Sequence, residues 1–203
     1  EIMTRLTKTY VGVNVRVCES KYPQGGEKQL IAAITGREVP SGKLPVDVGC
    51  IVQNVGTVFA VYQAVMKNKP LFERIVTISG DAIEKSANFM TRIGTPASFL
   101  IKQCGEVLPT LGQIIFGGPM MGTAAVNPDA PITKLTSGIL LLSEVLSDKR
   151  PESVCIRCGK CLDVCPMGLQ PNAIARAVRN NNLEELRQLH VMDCIECGSC
   201  AYT

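Results

Sequence analysis

The sequence predicts an α/β chain in three parts: an α/β layer over residues 1–70, a small β-grasp module with a following strand over 71–146, and a largely helical segment over 147–203. Three observations carry this prediction. In the first part, apolar stretches that read as strands are followed by turn-rich loops and then by helical periodicity. In the second, short strands surround one short helix within roughly fifty residues, as a β-grasp unit requires. In the third, the spacing C-x-x-C-x-x-C occurs twice, with helical pattern between the two runs.

The elements follow in order. Residues 1–9 read as the end of a helix, and Val11, Val13, Val15 and Val17 alternate as a half-buried strand over 11–18. The loop Lys21-Tyr22-Pro23-Gln24-Gly25-Gly26 opens a helix over 27–35, which Gly36 ends. A Gly-Gly loop at a helix N-terminus offers backbone N–H groups to an anion, the alternative being a plain strand-to-helix turn. After a link rich in Pro40, Gly42 and Pro45, Val48, Ile51 and Val52 mark a buried strand over 47–53. It runs through Asn54 into a helix over 57–68 whose apolar face is Val58, Val61, Tyr62, Val65 and Met66. Both loops fall at comparable ends of their strands, so residues 25–27 and 53–57 are expected to wall one site.

Pro70 breaks that pattern. Residues 74–79 (RIVTIS) read as a strand with a Gly80-Asp81 turn, and Gly94-Thr95-Pro96 introduces a helix over 97–103 that stops at Gly105. Residues 113–116 form another strand leading into Gly117-Gly118-Pro119-Met120-Met121-Gly122. No clear helix follows this loop, so it reads as a tight turn with methionines packing into a core or interface, not as a phosphate loop. A strand over 139–142 and a polar link over 147–153 lead to helices at 172–179 and 183–189. In the first of these Ile174, Ala177 and Val178 share a face, and in the second Leu183 and Leu186 do. His190, the single histidine, sits where a helix end favours it and is not read as a ligand.

Composition narrows the function classes. At 203 residues, 46% hydrophobic and only 4% aromatic, the chain has room for sizeable cores built from aliphatic side chains. A formal charge of +3 without a dense Lys/Arg run argues against a nucleic-acid partner. No apolar run approaches the length of a membrane helix, so no direct membrane span is expected and any membrane association comes through partners.

Residues 155–166, CIRCGKCLDVCP, follow C-x-x-C-x-x-C-x-x-x-C-P, the ligand run of a bacterial-type 4Fe–4S cluster. Residues 194–203, CIECGSCAYT, repeat its first three cysteines. We read the sequence as stopping inside this second motif, and as lacking an N-terminal portion. In two-cluster ferredoxins the fourth cysteine of one run ligates the other cluster. By that rule Cys165 joins Cys194, Cys197 and Cys200, while Cys155, Cys158 and Cys161 need a cysteine beyond Thr203. Gly159 and Gly198 stand at matching positions, where backbone passes close to a bulky cluster. Zinc sites pair C-x-x-C units across longer loops, and disulfides need an oxidising compartment for which no signal peptide speaks. Cys18, Cys50 and Cys104 are isolated and read as small packing hydrophobes.

With these residues in view, the chain resembles the RnfC (RsxC) family, which belongs to the Rnf ion-translocating electron-transport complex. The motifs that carry the resemblance are KYPQGGEKQLI at 21–31, VPSGKLPVDVGCIVQNVGT at 39–57, GGPMMG at 117–122 and both cysteine runs. The resemblance implies a peripheral subunit on the cytoplasmic face of the bacterial inner membrane, partnered by the other Rnf subunits. Such a subunit takes electrons from NADH through FMN and passes them to two 4Fe–4S clusters. The family is related to the flavin-bearing, NADH-oxidising subunit of respiratory complex I. On that relation residues 1–70 become the C-terminal part of a Rossmann-like flavin domain, and residues 71–146 hold the soluble-ligand-binding β-grasp module. Residues 147–203 become a helical two-cluster ferredoxin domain.

Tyr22, Gly25, Gly26 and Glu27 then form the flavin-site loop, with Glu27 as the residue orienting nicotinamide or flavin, and Asn54 and Thr57 are further flavin contacts. Gly26 and Gly56 depart from complex I, which has glutamates there. The family's glycine-rich flavin-phosphate loop would precede Glu1, which leaves the FMN pocket incomplete in this sequence. Two other function classes compete: a soluble flavin/iron–sulfur reductase resembling the corrinoid reductases, and a cluster-only electron-transfer module.

Overall fold

The computed structural model describes residues 10, 12–147 and 154–202, and these gather into two compact units. One comprises the described residues up to Val52 together with Leu162–Ile195; the other comprises those of Gln53–Cys161 and Glu196–Thr203. The predicted helix end over 1–9 lies outside the described residues.

The second unit is built on a five-stranded mixed sheet. Its strands are β1 (Glu73–Gly80), β2 (Ala87–Arg92), β3 (Leu111–Phe116), β4 (Thr123–Ala124) and β5 (Gly138–Ser143), in the order β2-β1-β5-β3-β4. β1 and β5 run parallel at the centre, with Ile78 opposite Ile139, and the other pairings are antiparallel. Alternation selects the core face. Val76 and Ile78 on β1, and Ile139 and Leu141 on β5, are buried, whereas Ile75 beside them is 56% exposed. The helix Ala97–Gln103 lays Ala97, Leu100 and Ile101 against that face, and Ile132 and Cys104 close the cluster. Gly80 has no room for a side chain: a Cβ there would stand 1.9 Å from the Leu141 carbonyl oxygen. Just beyond it, Asp81 accepts the Ser143 N–H at 2.9 Å and ties the β1 turn to the end of β5.

A second helix in this unit, Val55–Lys67, starts at Asn54 and stops at Asn68, which takes φ +49°. Its predicted apolar face is not covered. Val58, Val61, Tyr62, Val65 and Met66 are all exposed, with no packed layer against them among the described residues.

The first unit is helical. Glu27–Thr35 forms a helix ended by left-handed Gly36, as predicted, and buries Ile31. A helical hairpin follows later in the chain, Pro171–Arg179 and Leu183–Gln188. Asn182 caps the second helix, and Arg176 Nη2 meets Glu185 Oε1 at 2.9 Å. The buried positions of its first helix are Ala173 and Ala177, whereas Val178, expected on that face, is exposed.

Two predicted strands are absent. Residues 12–18 form no strand, and Val17 is 93% exposed. Residues 47–53 are a 3-10 turn, Pro45–Val48, followed by extended chain in which Ile51 is 78% exposed. Apolar alternation marks a segment able to pair, but a strand also needs an open neighbouring edge, and none meets either segment among the described residues. The reverse holds for Ala87–Arg92. Its sequence, ANFMTR, carries little strand signal, yet it pairs along β1 from Ile78↔Ala87 to Glu73↔Arg92.

Ile78→Ala is expected to cost roughly 2–5 kcal/mol of stability through the cavity it leaves, and Ile75→Ala less than about 1 kcal/mol, by urea unfolding. The Asp81 carboxyl is held below its ordinary pKa by the Ser143 hydrogen bonds. Its contribution is therefore present above the ordinary carboxylate range and lost as pH falls through the lowered value. Asp81→Asn should flatten that acid limb in melting temperatures measured between about pH 5 and 2.

Candidate redox centre and flavin-side residues

Both cysteine runs fold with one backbone pattern. In the first, Arg157 and Gly159 flank Cys158 with φ +58° and +83°; in the second, Glu196 and Gly198 flank Cys197 with φ +53° and +79°. Each run then enters a single helical turn, Lys160–Asp163 or Ser199–Tyr202. Alternation into the left-handed region makes successive residues curve around a common centre, as backbone wrapping an anionic group does. A left-handed non-glycine residue is uncommon, and here it recurs at the same place in two separate runs.

The donor chemistry fits a cluster as well. The Leu169 N–H donates to Cys165 Sγ at 3.3 Å, the kind of bond that stabilises a thiolate bound to iron. Cys197 is buried and its Sγ stands 3.4 Å from Ser199 Oγ, while Cys155, Cys158, Cys194 and Cys200 are exposed. Cys165 and Cys194 fall in the first unit, and Cys155, Cys158, Cys161, Cys197 and Cys200 in the second. Among the described residues no three His, Cys, Asp or Glu side chains close on one metal-sized point. Backbone conformation and donor types are those an iron–sulfur cluster needs.

Of the isolated cysteines, Cys104 packs as expected: it is 1% exposed in the sheet core, and burial pushes its thiol above the ordinary value. Cys18 and Cys50 are only half-buried.

The residues expected to face a flavin fall at two helix starts. In the first unit Gly26 N–H bonds the Pro23 carbonyl at 2.7 Å, folding the loop 21–26 tightly before the helix that begins at Glu27. A Cβ at Gly26 would meet Gln29 Oε1 at 2.5 Å and the Pro23 oxygen at 3.1 Å, so the glutamate of complex I is excluded from this packing unless Gln29 swings away. Tyr22 is 50% exposed and Glu27 exposed, both open to a ligand. Gln29, which sequence reasoning passed over, lies across the loop: its Oε1 is buried without a hydrogen-bond partner and its Nε2 donates to Met167 Sδ at 3.1 Å.

In the second unit Asn54 Oδ1 accepts the Gly56 N–H at 2.8 Å and caps its helix. Asn54 and Thr57 line a cavity of about 550 Å³ shared with Phe59, Arg74, Lys134 and Ser137. That volume lies in the range of cofactor sites. The two cations were not legible in the sequence. Arg74 reads there as an ordinary strand residue, although its Nε is buried and unpartnered.

Comparison with known proteins agrees with this geometry. Residues 1–63 match the family model of the Nuo51 FMN-binding domain, and residues 147–203 match that of the 4Fe-4S dicluster domain. The chain is 49% identical over 174 residues to the C subunit of the Na(+)-translocating ferredoxin:NAD(+) oxidoreductase complex of Acetobacterium woodii, covering 86% of this chain and 39% of that one. It is 47% identical over 185 residues to the proton-translocating counterpart of Clostridium ljungdahlii, covering 90% of this chain and 40% of the relative. With the C subunit of the ion-translocating oxidoreductase complex of Yersinia pseudotuberculosis the figures are 45% identity, 90% and 26%. The chain thus spans between a quarter and two-fifths of the length of these relatives.

Iodoacetamide at pH 8 is expected to modify Cys18 and Cys50 in the folded protein and to spare Cys104, with peptide mass spectrometry as the readout. Cys104 should react only when the sheet unfolds.

Proposed function

From this homology to the C subunits of ion-translocating oxidoreductase complexes, we propose that the chain is part of an electron-input subunit. It serves NADH, FMN and two 4Fe–4S clusters, and docks peripherally with the other complex subunits at the cytoplasmic face of the bacterial inner membrane. FMN when bound accepts a hydride and gives electrons singly, and the clusters carry single electrons onward. The chain's own residues bind and orient. Tyr22, Gly25, Gly26 and Glu27 form one side of the flavin site, Glu27 orienting the polar edge of the nicotinamide or flavin. Asn54 and Thr57 supply further flavin contacts. Cys165, Cys194, Cys197 and Cys200 hold one cluster, and Cys155, Cys158 and Cys161 supply three ligands of the other.

The observation that carries this reading is the Gln29–Met167 contact within the first unit. It fixes the helix that opens at the flavin loop beside the segment two residues after Cys165. This contact supports a reading in which the helix after the flavin loop lies near the segment that follows a cluster ligand, an arrangement suited to electron transfer. No helix among the described residues is long and apolar enough to cross a membrane.

The same reading divides the chain at residues 1–70, 71–146 and 147–203. The strand order β2-β1-β5-β3-β4, with its parallel central pair and one helix across a face, supports a β-grasp module for the middle segment. The Rossmann-like part rests on the FMN-domain match over residues 1–63.

The test is anaerobic EPR of the full-length protein with FMN, before and after NADH, with iron counted on the same sample. About eight irons per chain and reduced-cluster signals that appear with NADH are expected. Signals raised by dithionite but not by NADH would overturn the NADH assignment and leave a cluster-only module. Cys197→Ser should lower the count by about four irons while the remaining cluster keeps its signal.

A further inference from the structure

The two cysteine runs share a backbone but not an environment. A Cβ at Gly159 would meet nothing within 4 Å, whereas one at Gly198 would stand 2.7 Å from the Met120 carbonyl oxygen and 4.0 Å from Met120 Cβ. Gly159 and Gly198 hold equivalent sequence positions and nearly equal φ, so local conformation does not explain the difference. The neighbour at Gly198 is the loop 117–122, through Met120. Cys197, next to Gly198, is 8% exposed, and its counterpart Cys158 is exposed.

The loop is firmly seated. Gly117 takes φ +112° and its N–H bonds the Gly138 carbonyl of β5 at 2.9 Å, while the Gly122 N–H closes on the Gly118 carbonyl at 2.8 Å. A Cβ at Gly122 would stand 2.4 Å from both Gly118 O and Ile115 Cγ2, so the hairpin is locked onto the sheet. Met120 is half-buried at its tip, whereas the neighbouring Met121 is 62% exposed. Charge differs between the runs in the same sense. Arg157 and Lys160 stand in the first, where Glu196 and Ser199 stand in the second.

We propose that the GGPMMG loop, through Met120, is a positioning wall for the second cysteine run that sets the reduction potential of its cluster below that of the first. The inference rests on the two-cluster reading above. Reduction adds one electron to a cluster and makes or breaks no bond, so the more negative state gains most from water and nearby positive groups. An apolar methionine and a carbonyl oxygen against the run withhold water and add no positive charge of their own. The first run, open and flanked by two cations, receives them. Met120 therefore acts through the cluster's surroundings and not as a ligand.

The experiment is an EPR-monitored redox titration of the anaerobic full-length protein, with iron counted, on the wild type, Met120→Gln and Met121→Gln. The second-run cluster is identified as the signal that Cys197→Ser removes or alters. Met120→Gln should raise the midpoint of that cluster alone, with iron content unchanged, and Met121→Gln should move neither. A Met120→Gln protein with both clusters present and both midpoints unmoved, or moved together, overturns the inference. A wild-type protein that carries no clusters overturns the two-cluster reading and this inference with it. A backbone comparison supplies an independent arm. Gly159→Ala and Gly198→Ala carry the same left-handed strain, but only Gly198→Ala strikes Met120. Loss of iron should therefore be greater in Gly198→Ala, and equal loss in the two counts against the wall.

Discussion

The parallel pairing of β1 with β5 is the constraint on which the second unit depends. Ile78 and Ile139 face each other at its centre, and Gly80 lets the strand tip approach Leu141 more closely than any side chain would permit. Two parallel neighbours need a long crossover, and here the crossover contains β2, the helix Ala97–Gln103, β3 and β4. Because the pair is rigid, what hangs from it is placed rigidly too. Arg74 and Ser137 reach the cavity from the start of β1 and the approach to β5, and the loop 117–122 is bonded to β5 through Gly138. Removing buried aliphatic volume from this pair would disturb the cavity and the loop 117–122 well beyond the core itself.

Legibility of the fold followed how local its cause was. The helices Glu27–Thr35 and Ala97–Gln103 have the residue bounds read from sequence, because glycine and proline punctuate the backbone without help from distant partners. The central strands were visible in RIVTIS and in residues 139–142, where β-branched and aliphatic residues suit a pairing surface. Valines over 11–18 showed the same alternation, yet the described residues 12–18 form no strand, since alternation describes one partner of a pair. ANFMTR became a strand with little signal of its own, because β1 presents an edge to it.

The candidate site divides in the same way. Three cysteines of each run stand within seven residues of one another, so that part of the spacing is written in the chain. The reuse of left-handed turns at Arg157 and Glu196 is not, because neither residue type announces positive φ. Gln29 over Gly26, Met120 against Gly198, and Arg74 with Lys134 at the cavity depend on how the chain folds back on itself. Single-sequence patterns hold no record of such meetings. The GGPMMG loop shows the boundary well: its tight turn and packed methionine could be read from composition, but its neighbour could not.

Those left-handed turns carry a consequence for the life of the protein. A non-glycine residue held there costs about 1–3 kcal/mol, and each run holds one beside its middle cysteine. On the proposed reading, bonds from thiolate to iron offset that cost, so conformation and metal content are coupled. On that reading, loss of iron leaves the strain uncompensated and makes the metal-free chain the less stable form.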